Sequence, residues 1–211
     1  LHNEDEIERK DIRIGDTVIV ERAGDVIPHV ISVDIKKRDK YSKRFIFPKR
    51  CPSCGSETIK EFNNTTKKFD AVRRCNTDGF VCEKMSIERI KHFVSKDALN
   101  IEGLGKKIIE NFWEIKLIRF PHDIFKLDFI KISKLEGWGN LSVSNLKYSI
   151  EDKKNISLSK FIYSLGIRHI GQENAKILAK NMKNPENFFN LRNRTNFNDL
   201  LNIDGMGDTQ I

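Results

Sequence analysis

Four cysteines and a recurring glycine pair are the residues of this chain whose types and spacing can do chemistry. The cysteines fall in one short window: Cys51-x2-Cys54, then 20 residues, then Cys75-x6-Cys82. Two thiolates three residues apart converge on one tetrahedral ion when the backbone turns sharply between them, and Pro52 and Gly55 favour that turn. A hairpin in the long gap, with Asn63-Asn64 as its candidate turn, brings the second pair back to close the site. Four sulfur ligands leave no open coordination position, so Cys51, Cys54, Cys75 and Cys82 are expected to hold a structural zinc. Two disulfides, four unrelated buried thiols and an iron–sulfur cluster are the alternatives. The absence of any cysteine elsewhere to tie distant segments together favours metal. Four thiolates and one Zn²⁺ sum to −2, so a formal charge of +8 becomes about +6 when zinc is bound. The flanking pairs Lys49-Arg50, Lys67-Lys68 and Arg73-Arg74 either balance that local charge or contact phosphate.

The glycines repeat as apolar residue, any residue, Gly, apolar residue, Gly. The copies are Ile101-Glu102-Gly103-Leu104-Gly105, Leu135-Glu136-Gly137-Trp138-Gly139 and Ile203-Asp204-Gly205-Met206-Gly207. A further copy, Ile167-Arg168-His169-Ile170-Gly171, carries His169 in place of the first glycine. Equivalent positions are 34, 32 and 36 residues apart, the length of one helical supersecondary unit per copy. Each copy reads as helix, tight hairpin, helix. The first glycine permits positive φ in the turn, and the second sits where the next helix starts, so its free N–H groups can approach an anion. A phosphate backbone held this way is bound without regard to base sequence. The plain alternative, that the glycines merely end one helix and begin another, is weakened by four copies at near-constant spacing. Gly103, Gly105, Gly137, Gly139, His169, Gly171, Gly205 and Gly207 are therefore candidate phosphate contacts. Lys106 and Lys107 follow Gly105 in the first helical turn, the wrong end for a cation unless an anion is bound there. Asn140, Gln172-Glu173 and Asp208 occupy that place in the other copies and read as ordinary caps. The first hairpin is thus expected to be among the stronger sites.

The elements that position these residues divide the chain into three stretches: residues 1–47, 48–84 and 85–211. Thr17–Val20 and Val26–Val33 read as strands, with Ala23-Gly24-Asp25 as a turn and Pro28 at an edge or bulge. Two strands do not make a domain: either this stretch packs on something downstream or, the preferred reading, its remaining strands lie upstream of Leu1. From residue 85 apolar residues recur at helical spacing, including Ile87, Ile90, Val94, Ile108, Ile109, Phe112 and Ile115. Phe112, Trp113, Phe120, Phe125, Phe129, Phe161 and Tyr163 follow the same period and are expected in the core rather than stacking on bases. His92 and His169 lack ligand partners and read as structural or phosphate-facing. The fold class is α+β and multidomain: a β segment, a small four-cysteine finger and an all-α hairpin repeat.

Of 211 residues, 38% are hydrophobic and 32% charged, which excludes wholesale disorder. No apolar run reaches the ~18 residues of a membrane span, and no secretory signal opens the chain. A cytoplasmic location is expected. The excess of 38 Lys+Arg over 30 Asp+Glu suits a polyanionic partner, although a Lys- and Asn-rich composition is also what an AT-rich coding sequence produces. The chain begins with Leu1 and is expected to be an internal piece of a longer protein.

Taken together these residues resemble the C-terminal half of bacterial NAD-dependent DNA ligase. Ile14-Gly15-Asp16-Thr17-Val18-Ile19-Val20 and Ala23-Gly24-Asp25-Val26-Ile27-Pro28 look like that family's OB-fold domain. The four-cysteine finger follows, then Lys91-His92-Phe93-Val94-Ser95 leads into the first hairpin, and Leu165–Gly171 resembles the third. The six-residue gap between Cys75 and Cys82 is slightly longer than the family pattern. The resemblance implies a parent that seals nicked duplex DNA by enzyme adenylation, AMP transfer to a 5′-phosphate and attack by the 3′-hydroxyl. NAD and magnesium would act in upstream domains, since the family's Lys-x-Asp-Gly motif is missing from these residues and no catalytic residue is assigned here. This piece would supply the DNA grip as a monomer, with Arg22 and the OB part against the minor groove. The competing readings are a non-enzymatic helix–hairpin–helix DNA-binding module, a helix–hairpin–helix DNA glycosylase, and a protein-interaction remnant.

Overall fold

The computed structural model describes residues 3–22, 27–63, 67–193, 200 and 203–207. The chain folds as two compact units, Leu1–Thr77 and Asp78–Ile211. The first carries short paired strands and the second is helical, which makes the chain α+β. No helix among the described residues is long and apolar enough to cross a membrane.

The first unit opens with helix α1 (Glu4–Arg9), which the strand reading of this stretch passed over. Its signal is nonetheless local: Asn3 accepts from the Asp5 and Glu6 amides, and Glu4, Asp5 and Glu6 fill the first turn, where the dipole favours acids. Strands β1 (Val18–Glu21) and β2 (His29–Val33) pair antiparallel, with an irregularity between Ile19 and Val20. Strand β2 starts later than expected because Pro28, which has no N–H, lies just outside the ladder. The expected Ala23–Asp25 turn lies outside the described residues. Arg38 binds this segment together, donating to Asp16 Oδ1 at 2.8 Å and to Asp11 Oδ2 at 2.7 Å. Hydrogen bonds from Arg13, and then from Arg38, hold the Asp11 carboxyl down to about 2.

The part of the cysteine-bearing stretch that belongs to this unit folds as two minimal ladders. Strand β3 (Thr58–Ile59) pairs with β6 (Arg74–Cys75), and β4 (Phe62–Asn63) pairs with β5 (Lys68–Phe69). The second pair is the expected hairpin, with Asn63 closing β4 and Asn64 outside the described residues. Arg73 and Arg74 serve structure: Arg73 donates to Glu4 Oε2 at 3.0 Å, and Arg74 pairs with Asp70.

In the second unit, α2 (Glu83–Val94) leads to α3 (Lys106–Glu114), α4 (Phe129–Ile132) to α5 (Asn140–Asp152), and α6 (Leu158–Ser164) to α7 (Gln172–Met182); α8 (Pro185–Phe189) follows. The hairpins pair by burial. One core, centred on Ile90, Ile109, Phe112, Ile132 and Leu146, joins the first two. A second, built from Ile162, Ile170, Ala175, Leu178, Met182, Leu200 and Met206, joins the last two. The aromatic expectation holds for Phe112 and Trp113, while Phe125, Phe129, Phe161 and Tyr163 are half-buried. Phe120 departs from it: 42% exposed, its ring lies 5.4 Å from His122 in a stacked pair. Ile115 is also exposed, because it caps the end of α3. His92 is structural, its Nε2 lying 2.8 Å from the Tyr163 carbonyl oxygen.

Candidate metal centre and anion-binding hairpins

The Cys51–Cys54 loop is a tight knuckle. The Cys51 amide donates to the Ser56 carbonyl at 2.7 Å and the Gly55 amide to the Cys51 carbonyl at 2.8 Å. Gly55 has φ +72°, which a side chain would strain. Register in the β3–β6 ladder sets Cys75 opposite Thr58, and Cys82 is the N-cap of α2. The Sγ atoms of Cys51, Cys54, Cys75 and Cys82 all lie within 4.8 Å of one another. A tetrahedral ion with metal–sulfur bonds of ~2.3 Å needs sulfurs about 3.8 Å apart. The set fits a metal by geometry and by donor chemistry.

The thiols shift in opposite directions. Hydrogen bonds from Ser56 lower Cys54 to about 6. The Thr77 hydroxyl acts to lower Cys75, but desolvation and hydrogen bonding with Cys54 and Cys51 outweigh it and leave this thiol raised to about 11. The four cysteines can hold a metal ion.

The hairpins share one backbone device. The amides of Leu104, Trp138, Ile170 and Met206 donate to the carbonyls of Ile101, Leu135, Ile167 and Ile203, at 3.4, 3.1, 3.1 and 3.0 Å. The third turn residue has φ +89° at Gly103, +80° at Gly137, +63° at His169 and +86° at Gly205. Positive φ at that place is the mark of a type II turn. The fourth turn residue anchors the loop: Leu104, Ile170 and Met206 are buried, and Trp138 packs 5.7 Å from Phe112. The apolar–Gly–apolar–Gly pattern therefore encodes a turn pinned into a core.

His169 holds a left-handed conformation that costs an L-residue roughly 1–2 kcal/mol, and Asn174 Nδ2 steadies it by donating to the His169 carbonyl at 3.0 Å. His169→Gly is expected to raise stability by about 1 kcal/mol, read by chemical denaturation. A loss of stability would show that the imidazole makes a contact worth more than the strain.

Gly105, Gly139 and Gly171 are the N-caps of α3, α5 and α7, all with extended backbone. A Cβ added at any of them meets no atom within 4 Å, so these helix starts are open. Their amides differ. Gly139 N–H donates to Ser142 Oγ at 3.0 Å, so the second hairpin caps itself. The amides of Gly105, Lys106, Lys107 and Ile108 find no acceptor among the described residues. Lys106 and Lys107 are exposed, and with Lys96 and Asn100 they flank this helix start; Lys96 and Lys106 line a depression of about 320 Å³ there. Lys96 escaped the sequence reading because it belongs to the loop before the repeat. The larger cleft, about 830 Å³ beside Gly103 and Gly137, is rimmed by Glu102, Glu136 and Asp152 and so does not suit an anion.

Asn140, Gln172 and Glu173, expected as caps, are instead the first helical residues after glycine caps. Glu173 pairs with Lys176 at 2.7 Å. Gly207 lies beside Met206 in the fourth hairpin, and Asp208 is outside the described residues. Arg22 follows β1 at the end of the described strand.

Compared with known proteins, residues 1–42 match the NAD-dependent DNA ligase OB-fold domain, and residues 160–210 match the helix-hairpin-helix motif. The chain is 70% identical over its full length to a DNA ligase of Pelagibacter ubique, of which it covers 31%. It is 45% identical over 99% of its length to that of Parvibaculum lavamentivorans, covering 31%, and 44% identical over all of it to that of Maricaulis maris, covering 32%. It spans about a third of the length of these relatives.

Proposed function

We propose that this chain, which belongs to the family of bacterial NAD-dependent DNA ligases, is the part of its parent that grips nicked duplex DNA while bond chemistry proceeds elsewhere. Residues 1–47 act as the OB segment, with Arg22 toward the minor groove, residues 48–84 as the finger and residues 85–211 as the hairpin grip. Cys51, Cys54, Cys75 and Cys82 hold zinc, which suits four soft thiolates and supplies folding energy rather than a reaction centre. Gly103, Gly105, Gly137, Gly139, His169, Gly171, Gly205 and Gly207 bring helix-start amides and turns to the phosphates, and Lys106 and Lys107 add charge. NAD and magnesium serve the parent's adenylation chemistry outside these residues. The parent acts as a cytoplasmic monomer.

The observation that carries this reading is the open, acceptor-free start of α3 behind Gly105. An anion there completes the amides, meets the helix dipole and neutralises two misplaced lysines at once. Such contacts position a backbone and carry no base information.

Titration of the zinc-loaded chain with duplexes of unrelated sequence tests it. Affinity is expected to be equal across sequences and to fall by orders of magnitude between about 50 and 200 mM salt. A flat salt response rejects the phosphate grip. Incubated with NAD and nicked DNA, the chain is expected to form no adenylate and seal no nick. Self-adenylation would overturn the division of labour.

A further inference from the structure

Residues 36–50 read Lys-Lys-Arg-Asp-Lys-Tyr-Ser-Lys-Arg-Phe-Ile-Phe-Pro-Lys-Arg, and beyond a 3₁₀ turn at Ile35–Lys37 they form no regular element. Irregular chain of this composition is ordinarily a solvated loop, yet this one is pinned. Arg38 is clasped by Asp11 and Asp16, the Asp16 side chain being only 1% exposed. Arg13 Nη1 donates to the Ser42 carbonyl at 2.8 Å. The far end is held where Thr58 donates its amide to the Lys49 carbonyl and its hydroxyl to the Pro48 carbonyl, both at 2.9 Å.

The cations fall into two groups. Arg38 is consumed by its clasp, Lys37 reaches Asp34 at 3.5 Å, Arg44 reaches Asp11 at 3.6 Å, and Arg50 donates to the Gly55 carbonyl at 3.2 Å. Lys36, Lys40, Lys43 and Lys49 are exposed and meet no carboxylate within ion-pair distance among the described residues. Between them stand Tyr41 and Ile46, 77% and 82% exposed, with the Lys40 ammonium 4.8 Å from the Tyr41 ring centroid. Arg38 is the anchor tied inward, and Lys36, Lys40, Lys43 and Lys49 point at solvent on a strap already ordered.

We infer that the 36–50 strap is a second phosphate-tracking element, distinct from the hairpin loops, along which Lys36, Lys40, Lys43 and Lys49 follow a nucleic-acid backbone. This rests on the proposed DNA grip and adds a backbone-tracking element to the first unit's part in it. Ordering by Arg38 and Ser42 removes much of the entropy cost of immobilising the lysines on a ligand. A basic strap with exposed apolar residues also suits an anionic bilayer. Nucleic acid is favoured because the same chain presents anion-ready hairpins and no amphipathic helix at the strap.

The test compares the zinc-loaded chain with its Lys36→Gln/Lys40→Gln/Lys43→Gln/Lys49→Gln variant, using a duplex at several salt concentrations. Each lost phosphate contact reduces the slope of log affinity against log salt by about 0.9, so a reduction of about 3.6 for four contacts and a loss of at least 10-fold near 100 mM salt are expected. The Lys106→Ala/Lys107→Ala chain, run in parallel, separates the two ideas. If it weakens binding and the strap variant matches the unmodified chain, the strap proposal fails and the hairpin grip stands. If the unmodified chain does not bind duplex, both fail. Strap-dependent retention on phosphatidylglycerol vesicles with no strap dependence on DNA would assign the strap to membranes and overturn the inference. Unchanged cysteine-bound zinc content confirms that the variant is folded around its finger.

Discussion

Stripping zinc from the loaded chain with a chelator is expected to unfold residues 49–76, with amide-exchange protection lost across both small ladders. Beyond the ion pairs of Lys60 and Arg73 with Glu4, little else in that stretch can hold it. Its strands are two residues long, and no hydrophobic side chain between residues 49 and 76 is buried among those described. Phe62 and Phe69 pair across the hairpin at 5.1 Å but stay 47% and 66% exposed. An isolated two-stranded hairpin is marginal in water, whereas structural zinc in small fingers contributes about 10–16 kcal/mol at neutral pH. That exceeds or matches the whole stability of a typical domain, about 5–15 kcal/mol. Cys54→Ser should reproduce the effect, with metal analysis falling from one zinc per chain toward none. Retained protection after chelation would mean that the thiols are held together by packing alone, and the zinc assignment would be wrong.

Replacing Lys106 and Lys107 by alanine is expected to weaken duplex binding at least 10-fold near 100 mM salt and to reduce the salt slope by about 2. Both lysines are exposed at the start of α3, so folding should be untouched; if anything, removing cations from a helix N-terminus stabilises it by a few tenths of a kcal/mol. Tighter folding with looser binding is a combination that a purely structural role cannot produce. The comparison pair, Gln172→Ala and Glu173→Ala, removes a carboxylate from the start of α7 and should leave affinity level or slightly improved. The two starts share glycine caps and open space but differ in charge, so equal losses would defeat the ranking of the first hairpin above the third.

Several features were readable from residue types because short-range backbone chemistry governs them. The Cys51–Gly55 knuckle follows from a Cys-x2-Cys pair closed by glycine, and the hairpin between the cysteine pairs lies where Asn63 suggested. The four type II turns follow from one glycine or histidine at a fixed offset, since few residues tolerate φ near +80°. Helix α1 has an equally local signal in its Asn3 cap and three acids, but it lies beside β-branched runs whose strand pattern is stronger. Asn140 and Gln172 are not the caps that their side chains suggest, because the glycine one place earlier already has extended backbone.

The Cys51–Gly55 knuckle, the turn device and the repeat length are thus written in spacing, since each depends on atoms a few bonds apart along the chain. Which hairpins share a core, which amides keep an acceptor and which arginines are locked inward are settled by contacts between residues distant in number. Ser142 silences one glycine amide while Gly105 keeps its own, and Asp11 and Asp16 take Arg38 out of play while leaving Lys36 and Lys40 exposed. Burial and hydrogen-bond partnership are properties of packed neighbours, and a linear order of residues does not specify those neighbours until the chain has folded.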